Sequence, residues 1–316
     1  MKFPETLSVC VANIEEVTPL VKRFTLVPAE GGSLPGFSAG SHIMVHMPGE
    51  ERTYRNAYSL MSAPNDRSCY QIGVRRQEES RGGSVYMHEK VKTGDLLRIN
   101  PPANLFAIDR LSAKQILIAG GIGITPFMSY LKELPDLGVP FELHYAYRAQ
   151  SHAAFRELIA AQLGGQLHTY DASRDEFIQP RVLLAAQPLG THVYVCGPEG
   201  LIDAVVETAR ELGWPESHIH YEQFAAPQPG APFKVSCAKQ ACEIDVPGDM
   251  SLLDALEAAG VDVPNMCRGG VCGQCETGLL EGEAEHRDNY LPDEARDRKI
   301  MPCVSRARSA RLVLDL

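Results

Sequence analysis

The apolar positions of the chain fall into three regimes. Up to about residue 105 they come in short runs alternating with polar residues and broken by Gly, Pro and Asn. Ser8 to Ala12, Lys22 to Pro28, His42 to Met47, Tyr70 to Val74 and Leu96 to Ile99 read as half-buried strands. Several strands with little helical periodicity predict a small antiparallel β-barrel, residues 1–105. In the second regime, residues 106–226, Gln115 to Ala119 is continuously apolar, as a strand buried on both faces of a parallel sheet must be. Phe127 to Leu134 then carries helical spacing. Phe141 to Tyr147, Gln166 to Tyr170 and His192 to Cys196 follow as strands with helical spacers, and Gly200 to Leu212 as a helix. This predicts an α/β parallel-sheet domain. The third regime, residues 227–316, opens after the Pro-rich stretch 225–232, a semi-rigid linker by composition. There Phe233 to Val246 reads as two strands about Ala238-Lys239-Gln240-Ala241. Ser251 to Ala259 reads as a helix capped by Ser251, so the whole makes a small β-grasp domain.

A chain of 316 residues suits this multidomain division. Its formal charge of −10 argues against nucleic acid and anionic membranes, which require clustered cations. No apolar run reaches spanning length and the first residues lack a signal-like apolar core. The expectation is a cytoplasmic, monomeric enzyme that binds neither membrane nor nucleic acid.

Nine cysteines do change the picture. Cys267, Cys272 and Cys275 are spaced C-x4-C-x2-C, and Cys303 follows from a distant segment. That is the plant-type 2Fe–2S arrangement, three thiolates from one loop and a fourth from elsewhere. Gly269, Gly270 and Gly273 let the loop curl and aim N–H groups at sulfur. The alternative, a zinc knuckle or unliganded cysteines, fits less well, since zinc sites come as two short Cys/His pairs. Cys237 and Cys242 lie on opposite arms of a hairpin without further thiols and read as core or rim cysteines. His286-Arg287-Asp288 mimics a kinase triplet but lacks the accompanying glycine-rich loop and lysine.

The middle regime carries two glycine turns at strand ends. Gly120-Gly121-Ile122-Gly123-Ile124-Thr125-Pro126 joins strand to helix, as Cys196-Gly197-Pro198 does later. Orphan N–H groups and the helix dipole favour a pyrophosphate there, beyond the carboxyl ends of the strands. In the first regime Arg55, Tyr58 and Ser59, with Arg81-Gly82-Gly83-Ser84, combine a ring, hydroxyls, amides and cations. Those are parts for stacking a flat ring and holding a phosphate, and each alone could equally be a strand end or a turn.

In this order, and in Tyr58-Ser59-Leu60, the Gly120 to Pro126 turn, Cys196-Gly197-Pro198, His286-Arg287-Asp288 and the cysteine set with Cys303-Val304-Ser305, the whole chain resembles the phthalate dioxygenase reductase family. These are one-chain reductases of Rieske-type oxygenase systems, with FMN, NADH and a C-terminal ferredoxin domain. The resemblance implies that Tyr58 packs on the flavin and Ser59 hydrogen-bonds near its N5. Gly82, Gly83 and Ser84 would hold the FMN phosphate. Thr125 would stand at the flavin–nicotinamide junction, Cys196 and Gly197 beside the nicotinamide, and Phe224 against the flavin. The family pattern is Arg-x-Tyr-Ser; here Asn56 takes the arginine's place, so Arg55, Arg75 or Arg81 must supply the cation. For nucleotide choice, Asp171 and Asp175 favour NADH, Ser173-Arg174 resembles an NADPH-type pair, and Arg148 could reach pyrophosphate or ribose.

The implied function is transfer of electrons from NADH through FMN to the chain's own cluster and on to a Rieske-type terminal oxygenase. A flavin can hold one or two electrons and so converts hydride transfer into single-electron steps. The alternatives are the same electron chain serving a P450 or di-iron hydroxylase, or a C-terminal zinc-bound interaction module.

Overall fold

The computed structural model describes residues 6–49, 53–77, 82–224 and 228–316. They form two compact units, one ending at Phe224 and the other at Leu316.

The first unit begins with strands β1 (Leu7–Thr18), β2 (Val21–Pro28), β3 (Ser41–Pro48), β4 (Thr53–Ser59) and β5 (Tyr70–Arg75). Helix α1 (Gly83–Glu89) and strands β6 (Leu96–Ile99) and β7 (Ala103–Asn104) follow. The antiparallel sheet runs β4-β3-β6-β1-β2-β5, with β7 added to β3. A bridge between Leu60 and Ile72 joins the two ends of that path and curls the sheet into the expected barrel. Ile43, Val45 and Met47 on β3 join Phe24, Leu26, Tyr70 and Ile72 in its core. The intervening His42, Met44 and His46 fall on the other face, as a two-residue period requires.

Three details differ from the sequence reading. Strand β1 continues to Thr18 instead of stopping near Ala12, because register shifts after Val11 and Glu16 break its alternation. β4 carries too many polar residues to read as a strand. α1 is too short to show a period, and Met87 anchors it in the barrel core.

The same unit continues as β8 (Lys114–Gly120), α2 (Thr125–Leu137), β9 (Phe141–Tyr147), α3 (Arg156–Leu163), β10 (Leu167–Asp171), α4 (Pro180–Ala185), β11 (Thr191–Cys196), α5 (Glu199–Glu211) and β12 (Ile219–Glu222). The strands pair in the order β10-β9-β8-β11-β12, all parallel. Chain direction across the sheet therefore reverses between β8 and β11, where ligands of open α/β sheets bind. α2 extends past Pro135, which cannot bond the Leu131 carbonyl four residues back. Gln162 Nε2 donates to that carbonyl instead, at 2.9 Å.

Barrel and sheet are locked together. The Tyr130 hydroxyl donates to the Phe106 carbonyl, and Gly40 N–H donates to Ser129 Oγ at 3.0 Å. Phe106, Phe127, Tyr130 and Tyr194 pack with neighbouring ring centroids 5.5–5.8 Å apart.

The second unit comprises β13 (Phe233–Cys237), β14 (Cys242–Val246), α6 (Leu252–Ala258), β15 (Thr277–Glu281), β16 (Ala284–Glu285), β17 (Lys299–Ile300), β18 (Arg306–Ala307) and β19 (Arg311–Leu314). Its sheet runs β14-β13-β19-β15-β17, with β13 and β19 parallel, and β16 pairs with β18. Leu252, Leu253 and Leu256 of α6 pack on Val235, Val246 and Leu312 of the sheet. This is the β-grasp arrangement, and Ser251 caps α6 as read, accepting from Asp254 N–H at 3.0 Å.

Candidate functional site

At the reversal point between β8 and β11 the two glycine turns interlock. A Cβ on Gly123 would lie 2.2 Å from the Cys196 carbonyl oxygen, and one on Gly120 would lie 2.6 Å from Pro198 Cδ. A Cβ on Gly197 would lie 2.9 Å from Gly120 Cα. Gly121 adopts φ +54° and faces open space, so the backbone there is bare. The turns thus approach closely while leaving room for a ligand. Along the same carboxyl edge stand Arg148 after β9, Asp171 ending β10, Cys196 ending β11 and Glu222 ending β12. Arg148 is exposed.

Asp171 Oδ1 accepts from the Ser173 amide at 3.0 Å and from the Ser173 hydroxyl at 2.6 Å. Those bonds hold its carboxyl below the usual range, and they occupy the hydroxyl that an NADPH site would offer to phosphate. Arg174 and Asp175 are exposed.

Cys196 is fully buried, and burial pushes its thiol well above the ordinary range. Glu222, missed by sequence reasoning, is its register partner. Its Oε2 is buried without a hydrogen-bond partner, and burial lifts its carboxyl from 4.5 to about 8. The only signal in the sequence was a carboxylate ending a parallel strand.

On the barrel, Tyr58 is half-buried and accepts from Asn56 Nδ2 at 3.2 Å. The Asn56 amide lies against Gly83, where a Cβ would come 2.7 Å from it, and the Tyr54 ring lies against Gly82 at 2.4 Å in the same sense. Gly82 has φ +113°, which side chains rarely adopt. So Asn56, in the family's arginine position, seats the Gly82–Gly83 turn at the start of α1. Arg55 alternates with Asn56 along β4 and so lies on the opposite face of that strand. Arg75 ends β5, and Arg81 lies outside the described residues. Ser84 is buried and accepts from Gln77 N–H at 3.2 Å.

Ser59 is buried, and its hydroxyl has no partner. Thr125, at the start of α2, donates to the Ile122 carbonyl at 3.0 Å. Its methyl group would meet a Cβ on Gly73 of β5 at 2.8 Å, so it stands where barrel and sheet touch. Phe224 is an aromatic ring left 39% exposed at the end of this unit. An orphaned buried hydroxyl, a glycine turn seated by side chains and an open aromatic face suit a flavin ring and its phosphate.

In the second unit the four cysteine sulfurs are drawn together as two pairs. Cys267 lies beside Cys272, and Cys275 beside Cys303. Hydrogen bonding to Cys272, then the amides of Gly269, Val271 and Cys272, hold the Cys267 thiol down to about 5. The Cys303 thiol is pushed up, by Cys275 first. Two pairs suit two irons, and amides aimed at sulfur suit a cluster of thiolates. Gly270 and Gly273 adopt φ +76° and +75°, and a Cβ on Gly273 would strike the Tyr290 ring at 2.2 Å.

Arg268 ties the loop to α6, with Nη2 2.7 Å from Asp254 Oδ1 and 2.8 Å from Glu257 Oε2. Asp288 Oδ2 accepts from Leu291 N–H at 2.8 Å, which gives the His286-Arg287-Asp288 segment a structural use. Cys237 and Cys242 face each other across the hairpin and remain free thiols.

Fold and site define an iron–sulfur flavoprotein oxidoreductase. Residues 8–108 match the oxidoreductase FAD-binding domain family, and residues 235–308 match the 2Fe-2S iron-sulfur cluster binding domain. Residues 97–219 match the N-terminal domain of dimethylamine monooxygenase subunit DmmA-like proteins. The chain is 50% identical, over 98% of its length and 99% of the relative's, to the heme-dependent oxidative N-demethylase beta subunit of Ectopseudomonas mendocina. It is 46% identical to the carnitine monooxygenase reductase subunit of Escherichia coli, over 99% of each chain. The solved structure of phthalate dioxygenase reductase, described as modular for electron transfer from pyridine nucleotides to [2Fe-2S], superposes with a TM-score of 0.87. That likeness covers 98% of each chain at 33% identity. The chain belongs to the phthalate dioxygenase reductase family, the reductase subunits of oxygenase systems. Its cofactors are a flavin, a 2Fe–2S cluster and a pyridine nucleotide, and its partner is an oxygenase component. Among the described residues no helix is long and apolar enough to cross a membrane.

Proposed function

We propose that this chain draws electrons from NADH through FMN into a cluster held by Cys267, Cys272, Cys275 and Cys303, and passes them to a Rieske-type terminal oxygenase. The pairing of the four sulfurs, two and two, is the observation that carries this reading. The flavin supplies the exchange between a two-electron hydride and single electrons. In this reading residues 1–105 hold the FMN, with Tyr58 and Ser59 on its ring and Gly82, Gly83 and Ser84 on its phosphate. Arg55, Arg75 or Arg81 supplies the phosphate's cation. Residues 106–226 hold the nucleotide, with Gly120, Gly121, Gly197 and Pro198 near the pyrophosphate and Arg148 beside it. Thr125, Cys196 and Phe224 flank the nicotinamide–flavin junction, and residues 227–316 carry the cluster.

NADH is favoured because Asp171 repels a 2′-phosphate and already engages the Ser173 hydroxyl. FMN follows from the family resemblance, and mass spectrometry of the released flavin checks it. The five cysteines outside the cluster set, Cys10, Cys69, Cys196, Cys237 and Cys242, are free thiols and fit a reducing cytoplasm, and the docking with the oxygenase is transient, from a monomer.

A second reading replaces the Rieske partner by a heme-dependent oxygenase. It is favoured by the relative at 50% identity, which is named for such a system. Reconstitution with purified oxygenases of both kinds decides. Coupled NADH oxidation with the Rieske protein alone supports the first reading, and coupling with the heme protein alone replaces it.

A further inference from the structure

Side chains of β9 and β10 alternate between the two faces of the parallel sheet. Leu143 and Tyr145 of β9 pack with Phe127 and Leu131 of α2 and Ile159 of α3. Helices α4 and α5 cover the other face over Ile116 and Ile118 of β8 and Val193 and Val195 of β11. Glu142 is the register partner of Ile116, so it lies on that second face. His144, His168 and Tyr170 follow it there, on β9 and the edge strand β10. His144 and His168 are register partners, and their rings stack 4.7 Å apart with planes inclined by 12°. The ligand atoms of Glu142, His144 and His168 all lie within 4.8 Å of one another.

His144 is buried, and its Nε2 meets Glu142 Oε2 at 3.4 Å, which is long for a hydrogen bond. Tetrahedral ligands about 2.0–2.1 Å from a metal ion stand about 3.4 Å from one another, so this spacing is one edge of such a site. The other ring nitrogen, Nδ1, lies 2.9 Å from the Tyr170 hydroxyl, the kind of outer partner that orients a ligating imidazole. Lys114 Nζ donates to Glu142 Oε1 at 2.7 Å and leaves Oε2 for the ion. His168 is exposed, and rotation of its side chain brings a ring nitrogen to the same centre. We propose that Glu142, His144 and His168 bind a divalent transition-metal ion of the zinc class, with water in the fourth position.

Two imidazoles and one carboxylate are a donor set that zinc takes readily, and borderline nitrogen donors select it over magnesium or calcium. The ion ties the edge strand β10 to β9. β10 otherwise joins the sheet through one ladder only, and it ends in Asp171 at the proposed ribose site. Bound metal therefore steadies the strand that presents Asp171. The site is separate from the four cysteines of the cluster, which belong to the other compact unit. It depends on neither the nucleotide nor the oxygenase that the chain serves.

The test titrates oxidised holoenzyme, free of any histidine tag and with its cluster loaded, with Zn²⁺ in a calorimeter. Wild type should take up a single equivalent, and its melting temperature should rise with zinc. His168→Ala and Glu142→Gln should each weaken uptake by about a hundredfold, and Tyr170→Phe, which keeps the ring, by about tenfold. His218→Ala, in the sheet's other histidine group, should bind as wild type does. Cu²⁺ reads the ligands directly, because an oxidised flavin and an oxidised 2Fe–2S cluster give no electron-spin resonance signal. Two imidazole nitrogens are expected in wild type and one in His168→Ala. No uptake by wild type, unchanged uptake in His168→Ala, or loss in His218→Ala alone overturns the site. Should the His168 or Glu142 variants fail to fold, the copper signal of His218→Ala decides, two nitrogens supporting the site and fewer overturning it.

Discussion

Cys196, the last residue of β11, lies in register beside Glu222, the last residue of β12, at the carboxyl edge of the parallel sheet, Cys196 buried and Glu222 half-buried with its Oε2 sealed. A thiol raised by burial and a carboxyl raised to about 8 are both mainly uncharged at neutral pH, so the pair is a neutral wall beside the proposed nicotinamide position. The folded state binds the Glu222 proton more tightly than the unfolded chain does. Stability therefore falls as pH rises from about 4.5 to about 8 and levels off above that. Glu222→Gln should remove this component, so that melting temperatures of variant and wild type diverge with rising pH in the variant's favour. Parallel melting curves across that range would mean that Glu222 finds a partner.

Gly123→Ala puts a methyl group where the Cys196 carbonyl now lies at 2.2 Å. The two backbone turns must separate, at a cost of about 2–4 kcal/mol, and KM for the nucleotide should rise with the loss of stability. Thermal unfolding and steady-state kinetics measured together check this. A variant with wild-type values of both would show that the turns do not need their close approach.

Cys272→Ser should abolish reduction of cytochrome c or an oxygenase partner while leaving nucleotide-dependent reduction of ferricyanide largely intact. The residues up to Phe224 form a compact unit of their own and carry the proposed flavin and nucleotide sites. Loss of both activities together would mean that the cluster-bearing unit supports the rest structurally.

Asp171→Ala removes a carboxylate from the proposed ribose site and frees the Ser173 hydroxyl it now engages. The ratio of kcat/KM for NADPH to that for NADH should rise by about tenfold, with Arg174 left to attract the phosphate. An unchanged ratio would move nucleotide selection to another residue.

Much of this was legible beforehand for local reasons. The cysteine spacing is a sequence-local ligand pattern, and the parallel strands announce themselves by being apolar on both faces. Glycine turns at the ends of such strands mark a nucleotide edge wherever the strands pair. The barrel was harder. β4, which carries the proposed flavin residues, is nearly all polar, and α1 is a single short helix held by Met87. The overlong β1 depends on two register shifts that no alternation pattern displays.

The sequence by itself determined the order of the elements, the cluster ligand pattern and the two phosphate-type turns, because each rests on spacing within a few residues. Only the tertiary structure decided what meets what. Asn56 and Gly83 are separated in sequence by β5 yet in contact, so the missing family arginine turned out to be a question of how a glycine turn is seated. Glu222 and Cys196 became neighbours through a parallel register, and Ser59 and His42 through an antiparallel ladder. Burial and cross-strand register set protonation and hydrogen-bond satisfaction, and both depend on residues distant along the chain.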